Sequence, residues 1–418
     1  MERYLIAGGK RLVGAVRVDA AKNAVLPLLA ASILADGIVR LEDCPRLLDV
    51  ESMIEILRNL GCKAHWDGGG IIVDPAGLSQ HVMPEAISKE IRSSIFLLGP
   101  ILARLGRATV TYPGGCEIGQ RPIDLHLAGL RALGANIREE DGFIYCEGAL
   151  RGADIHMDYP SVGATENVMM AAVLAQGHTV IHNAAQEPEV ADLAAMINRM
   201  GGKVCGAGSA TVAIEGVCRL SGCAYAPMFD RIVAGTLLAA GAVTGGDVMV
   251  RGANAASMRA VLFKIEEMGC TVSAEQDGIR LCAPGKLRAL RMLETGPHPG
   301  FPTDMQAQML AAATVAQGVS VVVERVFENR YGHVHELRRM GADITVRDRT
   351  AIVCGQGALH AASVTARDLR GGAALVIAGL AARGVTEIGG LRLIDRGYDG
   401  LERMIGALGG DIRRIGAA

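Results

Sequence analysis

The stretch ALGANIRE, residues 132–139, shows a pattern that recurs along the chain. In each copy Leu or Met ends an amphipathic helix, a glycine suits the left-handed position after that helix, and alternating residues indicate a strand. The copies lie about seventy residues apart and are centred on Gly61, Gly134, Gly201, Gly269, Gly341 and Gly409. The sequence therefore predicts six copies of one structural unit.

A second element precedes each of these stretches. It combines a helix of small residues, a glycine and a strand, as in LLAASILADGIVRLEDC at 28–44 and MLAAATVAQGVSVVVERV at 309–326. Asp-Gly pairs at 141–142 and 277–278 permit the positive φ angles of type I′ hairpin turns. The predicted unit is thus helix, strand, helix, strand, strand.

The two helices of the unit differ in their hydrophobic pattern. The small-residue helices are apolar all round and are expected to be enclosed, whereas the amphipathic helices have a polar face for water. An elongated solenoid would leave the first kind uncovered. We therefore predict an α/β fold with two groups of three units, each with internal helices and outer sheets.

The start of the chain carries strand residues that belong to no complete unit. The segment RYLIAGGKRLVGAVRV, residues 3–18, precedes the first unit, and the sixth unit ends at the C-terminus without a spare strand. The opening segment is therefore expected to complete the C-terminal domain. This predicts one domain of residues 21–229, carrying the Cys116 loop, and a discontinuous domain of residues 1–20 plus 230–418.

Composition narrows the class of protein. The chain has 418 residues, 50% hydrophobic but only 3% aromatic, which suits two domains with cores of small side chains. Its apolar runs are shorter than the roughly 20 residues that a bilayer-spanning helix needs, and no signal peptide is recognised. The ten cysteines form no CxxC pair, which favours a reducing cytoplasm over a disulfide framework. The net charge of −2 provides no global field for nucleic acid, so an anionic ligand requires a local cluster of Arg and Lys.

Cationic residues stand at predicted helix starts in the first half of the chain. Lys22 and Asn23 begin one helix, Arg92 precedes another, and Arg121 precedes Pro122, a favoured first helical residue. Free backbone N–H groups and the helix dipole favour an anion at such positions. A solvated lysine is the alternative for Lys22, and a single arginine there is commonplace. Cations in equivalent places of neighbouring units favour an anion site.

Charged residues occupy similar places in the second half. Asp304 stands near the start of the fifth unit's inner helix, where a simple helix cap is the alternative to a catalytic role. Asp368, Arg370 and Arg396 lie beside turns or helix starts. If the two domains face each other across a cleft, cations from both surround the same ligand.

The stretch VTYPGGCEIGQRPIDL, residues 110–125, places Cys116 in a loop. Pro113, Gly114 and Gly115 remove the cysteine from any strand, and cationic residues lie on both sides. Such surroundings tune a thiol for proton transfer or nucleophilic attack. An inert loop cysteine is the alternative that this stretch alone leaves open.

Patterns for other kinds of site are weak. His333 and His335 in YGHVHEL are two residues apart, and no third metal ligand is indicated. We find no Walker phosphate loop and no GxGxxG after a plausible strand. The sequence therefore predicts no metal and no cofactor.

Several motifs together resemble one family. Their order and separation are similar to those of the UDP-N-acetylglucosamine 1-carboxyvinyltransferases, a branch of the enolpyruvyl transferases, along essentially the whole chain. The motifs are AKNAVLPLLAA (21–31), PGGCEIGQRPIDLH (113–126), SVGATEN (161–167), EPEV (187–190), FPTDMQAQ (301–308), VFENRYGHVHEL (326–337) and IDRGY (394–398). The resemblance implies two inside-out α/β barrels, each of three βαβαββ units, with the active site in the cleft between them.

The resemblance also implies a reaction. The family transfers the enolpyruvyl group of phosphoenolpyruvate to the 3′-hydroxyl of UDP-N-acetylglucosamine by addition and elimination, releasing phosphate. This is the first committed step of peptidoglycan synthesis, on which cell-wall biogenesis, cell shape and cell division depend. We expect these small-molecule substrates, a cytoplasmic location, no nucleic acid and no membrane insertion. The sequence does not determine the oligomeric state. Fosfomycin, a phosphonate epoxide similar to phosphoenolpyruvate, is expected to alkylate Cys116.

The resemblance assigns roles to residues of this sequence. Asp304 matches the residue that takes the proton of the sugar hydroxyl, and Cys116 matches the general acid that also forms a covalent phospholactoyl adduct. Lys22 is predicted to be a third catalytic residue, and with Asn23, Arg121 and Arg396 it also matches the positions that bind phosphoenolpyruvate. The positions that match nucleotide-sugar contacts are Arg92, Arg121, Pro122, Ile123, Asp124, Leu125, Tyr159, Pro160, Ser161, Val162, Asp304 and Val326. The positions that match supporting residues of the closed site are Asp49, Glu187, Glu189, Arg330, Asp368 and Leu369.

The chain departs from the family pattern in a few places. DAAKN at 19–23 replaces the usual SGAKN, and Phe229 and Val233 stand where relatives usually have Pro and Glu, near the domain crossover. Tyr159 replaces a lysine that some relatives carry, which affects contacts to the uridine. These differences concern the crossover and the uridine contacts rather than the chemistry.

The sequence leaves two alternative functions to compare with this one. A related enolpyruvyl transferase acts on shikimate 3-phosphate, but that branch lacks the Cys116 loop. A catalytically silent regulator that binds a nucleotide sugar is the second, and the intact Lys22, Cys116, Asp304 and Arg396 argue against it.

Overall fold

The computed structural model describes residues 2–112, 114, 118–119 and 122–416. Contacts between Cα atoms divide the chain into two compact units. We call Ala20–Cys116 with Arg121–Met228 the N-terminal unit, and Met1–Asp19 with Glu117–Gln120 and Phe229–Ala418 the C-terminal unit. The domain boundaries inferred from the sequence stay a prediction.

The strands are short, as expected for a fold of small repeats. In chain order they are β1 (Arg3–Ala7), β2 (Val13–Arg17), β3 (Val39–Leu41), β4 (Lys63–Asp67), β5 (Gly70–Asp74), β6 (Arg107–Thr111), β7 (Asn136–Glu140), β8 (Phe143–Glu147), β9 (Asp154–His156), β10 (His178–His182), β11 (Lys203–Cys205), β12 (Thr211–Glu215), β13 (Ala224–Tyr225), β14 (Asp247–Arg251), β15 (Thr271–Glu275), β16 (Gly278–Cys282), β17 (Leu293–Glu294), β18 (Gln317–Val323), β19 (Asp343–Arg347), β20 (Thr350–Gln356), β21 (Leu359–His360), β22 (Ser363–Thr365), β23 (Ala382–Arg383), β24 (Val385–Gly389) and β25 (Asp411–Ile415).

The helices alternate with these strands. In chain order they are α1 (Lys22–Ser32), α2 (Leu48–Asn59), α3 (Glu85–Glu90), α4 (Leu98–Leu105), α5 (Asp124–Ala132), α6 (Val162–Ala172), α7 (Pro188–Arg199), α8 (Arg231–Val243), α9 (Arg259–Glu267), α10 (Gln306–Thr314), α11 (Val334–Arg339), α12 (Leu369–Ala381), α13 (Leu391–Ile394) and α14 (Leu401–Ala407). Short 3-10 turns cover Pro75–Gly77, Arg92–Leu97, Ala255–Met258 and Thr303–Met305. Within the described part of the chain, no helix combines the length and the apolar character that crossing a bilayer requires.

The six repeat glycines all follow an amphipathic helix. They come two residues after the ends of α2, α5, α7, α9, α11 and α14. Their φ angles are 102° at Gly61, 95° at Gly134, 99° at Gly201, 96° at Gly269, 89° at Gly341 and 85° at Gly409. Residues with a Cβ atom are strained in this left-handed region, which explains the glycine in every copy. The predicted six copies are confirmed.

The two Asp-Gly pairs adopt different structures. Asp141 and Gly142 have φ angles of 50° and 80° and form the turn between β7 and β8, as predicted. At the second pair the type I′ prediction is wrong, because the turn residues are Gln276 and Asp277 and Gly278 already begins β16. A Cβ atom on Gly278 would lie 2.1 Å from the carbonyl oxygen of Val250, so the glycine serves the close approach of β14.

The N-terminal unit contains three sheets, with strand orders β13-β3-β5-β4, β6-β8-β7 and β11-β12-β10-β9. The inner helices are α1, α6 and α4 with its preceding 3-10 turn, and the 3-10 turn contacts both α1 and α6. Every residue of α1 except Asn23 is buried, in agreement with the enclosed position predicted for such helices. The amphipathic helices α2, α5 and α7 each keep an exposed face.

The C-terminal unit repeats this plan with sheets of order β15-β16-β14-β2, β17-β18-β20-β19 and β22-β24-β1-β25. Its inner helices α8, α10 and α12 contact one another. The opening segment of the chain supplies β1, which is antiparallel to β24 and β25, and β2, which is parallel to β14. Parallel neighbours need a long crossover, and the inner helices α6, α10 and α12 supply it between β9 and β10, between β17 and β18, and between β22 and β24.

Candidate active site

Polar side chains stand at the start of the inner helix in each copy. Three of them, Ser161, Asp230 and Asp368, accept hydrogen bonds from the first N–H groups of α6, α8 and α12. The six positions are Lys22 in α1, Arg92 in the 3-10 turn before α4, Ser161 before α6, Asp230 before α8, Asp304 in the 3-10 turn before α10, and Asp368 before α12. The repeated unit therefore places these polar side chains at equivalent positions, at the starts of the inner helices.

Lys22 is buried beside an acidic side chain of the next helix. Its Nζ lies 2.6 Å from Oδ2 of Asp49, and both side chains are at most 11% exposed. The start of α2 positions Asp49, so two consecutive helices of the first copy build the pair. The solvated-lysine alternative is wrong, while the neighbouring Asn23 is exposed.

Arg92 lies near a buried imidazole that the sequence did not single out. Asn167 Nδ2 donates to the carbonyl oxygen of Ile95 at 2.9 Å and lies 3.0 Å from Nδ1 of His126. Burial, together with the nearby Arg92 cation, lowers the pKa of His126 to about 3. His126 is therefore neutral at physiological pH, and its Nδ1 accepts from Asn167 while Nε2 carries the proton.

The two runs predicted to contact a nucleotide sugar lie at the starts of neighbouring helices. Pro122, Ile123, Asp124 and Leu125 lead into and begin α5, and Tyr159, Pro160, Ser161 and Val162 lead into and begin α6. These helices pack together, and a Cβ atom on Gly163 would lie 3.1 Å from Cε1 and Nε2 of His126. The His126 ring on Gly163 thus brings the two runs together. Cys116 and Arg121 lie outside the described residues.

In the C-terminal unit, Asp304 lies between two arginines. Arg330 Nη2 donates to Oδ1 of Asp304 at 2.7 Å, and Arg370 Nη2 donates to Oδ2 at 2.8 Å. The two guanidinium groups are only 3% exposed, whereas the Asp304 side chain is 25% exposed. The carboxylate therefore has both oxygens engaged while retaining access to solvent.

Buried side chains hold Arg370 and the backbone of Asp304 in place. The guanidinium of Arg370 lies 5.5 Å from the centre of the Tyr398 ring, and Tyr398 Oη lies 3.0 Å from Oγ1 of Thr236. Gln308 Nε2 donates to the backbone oxygen of Asp304 at 2.8 Å. Burial lowers the pKa of Arg370, but Asp304, Tyr398 and Asp230 together outweigh it and the net shift is upward. Arg370 thus remains a cation in the interior.

The loop after β18 is tied to the same place. Glu324 Oε1 accepts from the N–H of Val326 at 2.8 Å and from Thr295 Oγ1 at 2.7 Å, and its Oε2 accepts from Thr303 Oγ1 at 3.0 Å. Glu324 is fully buried. It therefore links the predicted nucleotide-sugar position Val326 to the turn that carries Asp304.

Asp368 and Leu369 lie at the start of α12 beside the arginine pair. Asp368 Oδ1 accepts from the N–H groups of Arg370 and Gly371 at 3.0 and 2.8 Å. His333 is buried against Gly371, where burial lowers its pKa to about 4 although Asp368 opposes the shift. His333 is therefore neutral at physiological pH, beside the start of α12.

Arg396 follows α13 and is half-buried. The next residue, Gly397, lies against Leu369, and a Cβ atom there would come within 2.7 Å of the Leu369 side chain. A described piece of the cysteine stretch belongs to the same unit, where the oxygen of Ile118 accepts from the N–H of Asn329 at 2.9 Å. The unit thus brings Asp304, Arg330, Asp368 and Leu369 together, with Arg396 and Ile118 held on adjoining segments.

Comparisons with known proteins agree with this architecture. The family model described as EPSP synthase (3-phosphoshikimate 1-carboxyvinyltransferase) matches residues 6–405. A relative from Caldanaerobacter subterraneus subsp. tengcongensis, UDP-N-acetylglucosamine 1-carboxyvinyltransferase 2, is 48% identical over 99% of this chain and 100% of its own length. The Myxococcus xanthus UDP-N-acetylglucosamine 1-carboxyvinyltransferase is 48% identical over 99% of both chains. The chain belongs to the enolpyruvyl transferase family.

Solved enolpyruvyl transferases share the fold. The enolpyruvyl transferase NikO from Streptomyces tendae superposes with a TM-score of 0.89 at 25% identity, covering 100% of this chain and 99% of that one. The EPSP synthase of Acinetobacter baumannii gives a TM-score of 0.78 at 18% identity over the full length of both chains, a likeness of fold alone. The predicted fold class, two inside-out α/β barrels of three repeats each, is confirmed.

Sequence reasoning missed several residues of this enolpyruvyl transferase. His126, Asn167, Gln308 and Glu324 all lie inside or next to the quoted motifs, but the motifs gave no reason to separate them from core residues. The available signal was a polar residue at a position that should be buried, as with Gln308 in the largely apolar helix α10. Such residues lie in the core, and their polar groups form hydrogen bonds there.

A group of buried acids accompanies α7 in the same enolpyruvyl transferase unit as Lys22. Glu189 is 2% exposed in the first turn of α7, and Glu187 precedes the helix. Glu166 of α6 is fully buried, and neither of its oxygens accepts a hydrogen bond from a described residue. Burial, followed by Glu189, Glu187 and Asp192, raises the pKa of Glu166 well above its usual value. The interior therefore favours the protonated form of Glu166.

Proposed function

We propose that this enolpyruvyl transferase moves the enolpyruvyl group of phosphoenolpyruvate to the 3′-hydroxyl of UDP-N-acetylglucosamine and releases phosphate. The identity of 48% to full-length UDP-N-acetylglucosamine 1-carboxyvinyltransferases carries this proposal. An enzyme with this activity catalyses the first committed step of peptidoglycan synthesis. It therefore serves cell-wall biogenesis, cell shape and division, and we propose that it works in the cytoplasm.

The choice of acceptor rests on the degree of similarity. The matching family model carries the name of the shikimate 3-phosphate enzyme. The solved EPSP synthase is 18% identical, whereas relatives named for UDP-N-acetylglucosamine are 48% identical along the whole chain. The runs that begin α5 and α6 are also those that the family motifs assign to the nucleotide sugar. We therefore favour UDP-N-acetylglucosamine over shikimate 3-phosphate.

The reaction has two steps whose atoms and protons balance. In the addition, the sugar 3′-oxygen bonds to C2 of phosphoenolpyruvate, the hydroxyl loses its proton, and C3 gains a proton to become a methyl group. In the elimination, the bond between C2 and the phosphate oxygen breaks, C3 loses a proton, and the double bond re-forms. Each step needs a proton donor and a proton acceptor near C3 or the hydroxyl.

We assign the acceptor of the hydroxyl proton to Asp304. Arg330 and Arg370 favour the ionised carboxylate and hold it in one orientation, and the side chain remains accessible. The hydroxyl becomes strongly acidic only as its oxygen bonds to C2, so a carboxylate of modest basicity is sufficient. The proton donor to C3 is Cys116 in this proposal, on the strength of its family motif.

We assign binding of phosphoenolpyruvate to cationic residues of the family motifs. Lys22 with Asn23, Arg121 and Arg396 would hold the phosphate and the carboxylate, because Arg and Lys are the side chains that bind such groups. Asp49 would keep Lys22 in place, and Glu187 and Glu189 would support the surrounding turn.

We assign the nucleotide sugar to Arg92, the runs at 121–125 and 159–162, Asp304 and the backbone of Val326. Arg330, Asp368 and Leu369 would support its sugar side. The diphosphate is an anion, which suits the N–H groups at the starts of α5 and α6. Tyr159 is 45% exposed and stands where some relatives have lysine, so it offers a ring in place of a charge toward the uridine.

The proposal is tested by phosphate release from phosphoenolpyruvate. Purified protein is expected to release phosphate when UDP-N-acetylglucosamine is added and to give none with shikimate 3-phosphate. Mass spectrometry of the nucleotide product should show the added enolpyruvyl group. Release with shikimate 3-phosphate alone would support the other branch of the family, and release with neither acceptor would support the silent regulator.

The role of Cys116 has a separate test. Fosfomycin is expected to alkylate Cys116 in the presence of UDP-N-acetylglucosamine, as read by peptide mass mapping. Cys205 and Cys218, which are exposed, provide internal controls that should remain unmodified. Modification of one of these in place of Cys116 would contradict the assignment.

A further inference from the structure

The turn that carries Arg396 is held by the last strand of the chain. Arg414 in β25 donates from Nη1 to Oδ1 of Asp395 at 3.0 Å and from Nη2 to Oδ2 at 2.7 Å. This is a two-point pairing of a guanidinium with a carboxylate, which fixes orientation as well as distance. Asp395 directly precedes Arg396. The ion pair of Arg414 with Asp395 therefore fixes the backbone next to the residue that is predicted to bind phosphoenolpyruvate.

Arg414 is itself fixed on the sheet. It lies opposite Tyr4 in the antiparallel pairing of β25 with β1, with its guanidinium 6.0 Å from the centre of the Tyr4 ring, and it also pairs with Glu2. Tyr4 is fully buried, and its hydroxyl donates to Oε2 of Glu402 at 2.7 Å. Residues at the start of the chain therefore hold the guanidinium of Arg414, which lies in the last strand.

The rest of the turn is held by other contacts. Gly397 lies against Leu369, and Tyr398 Oη lies 3.0 Å from Oγ1 of Thr236. Those contacts fix the turn after Arg396, whereas Arg414 fixes it before Arg396. The Arg396 backbone is thus held from both sides.

We propose that Arg414 is a positioning residue for phosphoenolpyruvate, acting through Asp395 on the orientation of Arg396. This rests on the proposed function, since it assumes that Arg396 holds the substrate's phosphate or carboxylate. A planar two-point partner defines the turn more narrowly than a lysine would. Shifts of about 1 Å in a binding group cost up to roughly 10²-fold in rate, so the orientation of a turn has measurable consequences.

The chain offers a matched control for this residue. Arg413 is the neighbour of Arg414 in the same strand, its side chain is 76% exposed, and its Nε lies 3.5 Å from Asp411. The variants Arg414→Gln and Arg413→Gln therefore remove the same charge from adjacent positions. Arg414→Gln is expected to raise the KM for phosphoenolpyruvate roughly tenfold with the KM for UDP-N-acetylglucosamine nearly unchanged, and Arg413→Gln to change neither.

A double-mutant cycle separates positioning from general damage. Asp395→Asn should weaken phosphoenolpyruvate binding, measured by calorimetric titration of phosphoenolpyruvate, and adding Arg414→Gln to it should have little further effect. Arg414→Lys should recover only part of the affinity. Equal affinities of the wild type and Arg414→Gln, or additive effects of the two substitutions, would overturn the inference even if thermal stability falls. Absence of phosphate release by the wild type would instead contradict the proposed function, because the affinity cycle does not depend on turnover.

Discussion

A buried lysine lies beside a carboxylate in the N-terminal unit, whereas in the C-terminal unit a carboxylate lies between two arginines. Lys22 Nζ lies 2.6 Å from Oδ2 of Asp49. Asp304 has Arg330 on one oxygen and Arg370 on the other, at 2.7 and 2.8 Å. The two centres occupy the starts of inner helices in equivalent repeats, so the fold tolerates either balance.

The difference teaches how each centre is suited to its task. Lysine is a compact charge on a flexible stem and can exchange one oxygen partner for another. Two planar guanidinium groups hold a carboxylate in one orientation and change partners less easily. We therefore interpret Lys22 as a cation that passes from Asp49 to an incoming anion, and Asp304 as a base whose direction is fixed before substrate binds.

The largest expected effect comes from removing the charge of Asp304. Asp304→Asn keeps the shape but cannot take a proton, so phosphate release should fall by about 10²- to 10⁴-fold, the range typical of a lost acid–base group. The rate with saturating substrates measures this. If the fixed orientation is the important property, the KM values should change far less than the rate.

The control for Asp304 is an arginine-paired aspartate on the surface. Asp247 accepts from Arg280 Nε and Nη2 at 2.8 and 2.9 Å. Asp247→Asn should leave the rate within about twofold, because exposed pairs contribute little. An Asp304→Asn variant that keeps more than a tenth of the wild-type rate would show that another group accepts the proton.

The second prediction concerns Lys22. Lys22→Met removes the cation facing Asp49, and breaking a buried pair from one side destabilises by about 3–5 kcal/mol. Chemical denaturation should show this loss, and activity should also fall because the anion ligand is gone. Lys22→Met combined with Asp49→Asn should recover much of the stability and none of the activity.

An exposed lysine pair provides the comparison. Lys10 Nζ lies 2.9 Å from Oδ2 of Asp411, with the Lys10 side chain 56% exposed. Lys10→Met should lower the free energy of unfolding by less than about 1 kcal/mol. If Lys22→Met behaves like Lys10→Met, the buried pair is not the stabilising contact that its geometry indicates.

The repeats explain how much of this could be predicted from the sequence. Glycine at a helix end has a backbone reason that is local, so Gly61 and its five equivalents were identifiable without tertiary contacts. Helix starts also have local sequence signals, and from these Lys22, Arg92 and Asp304 were predicted to lie at the starts of inner helices. The prediction for Gly278 was wrong because glycine is required there by the close approach of β14. The Asp-Gly sequence contains no information about that strand.

The interior of the site was not predictable in the same way. The sequence indicates a charged residue beside a helix start at Arg370. It does not predict the ion pair with Asp304, because the two residues are 66 positions apart. His126 and Asn167, 41 positions apart, have the same character. Such pairs depend on how helices and turns distant in the sequence pack together, which local patterns do not contain.

The smallest expected effect comes from Glu166, a third kind of charge arrangement in the N-terminal unit. Its pKa is raised well above the usual value, first by burial and then by Glu189, Glu187 and Asp192. The unfolded chain ionises this group near its usual pKa of about 4.5, while the folded protein keeps the proton. Its stabilising contribution is therefore complete below that pH and is lost as the pH rises through the folded pKa.

Glu166→Gln replaces the neutral acid by a neutral amide and removes this loss. The free energy of unfolding of the variant relative to the wild type should therefore increase between pH 6 and pH 7, by at most about 1.4 kcal/mol for one group. Glu90→Gln, at an exposed position of the same unit, should run parallel to the wild type. A Glu166→Gln curve that also runs parallel would mean that Glu166 is ionised in the folded protein. The acids around α7 would then need a cation close by, and Lys22, the buried lysine of this unit, would be the first to examine.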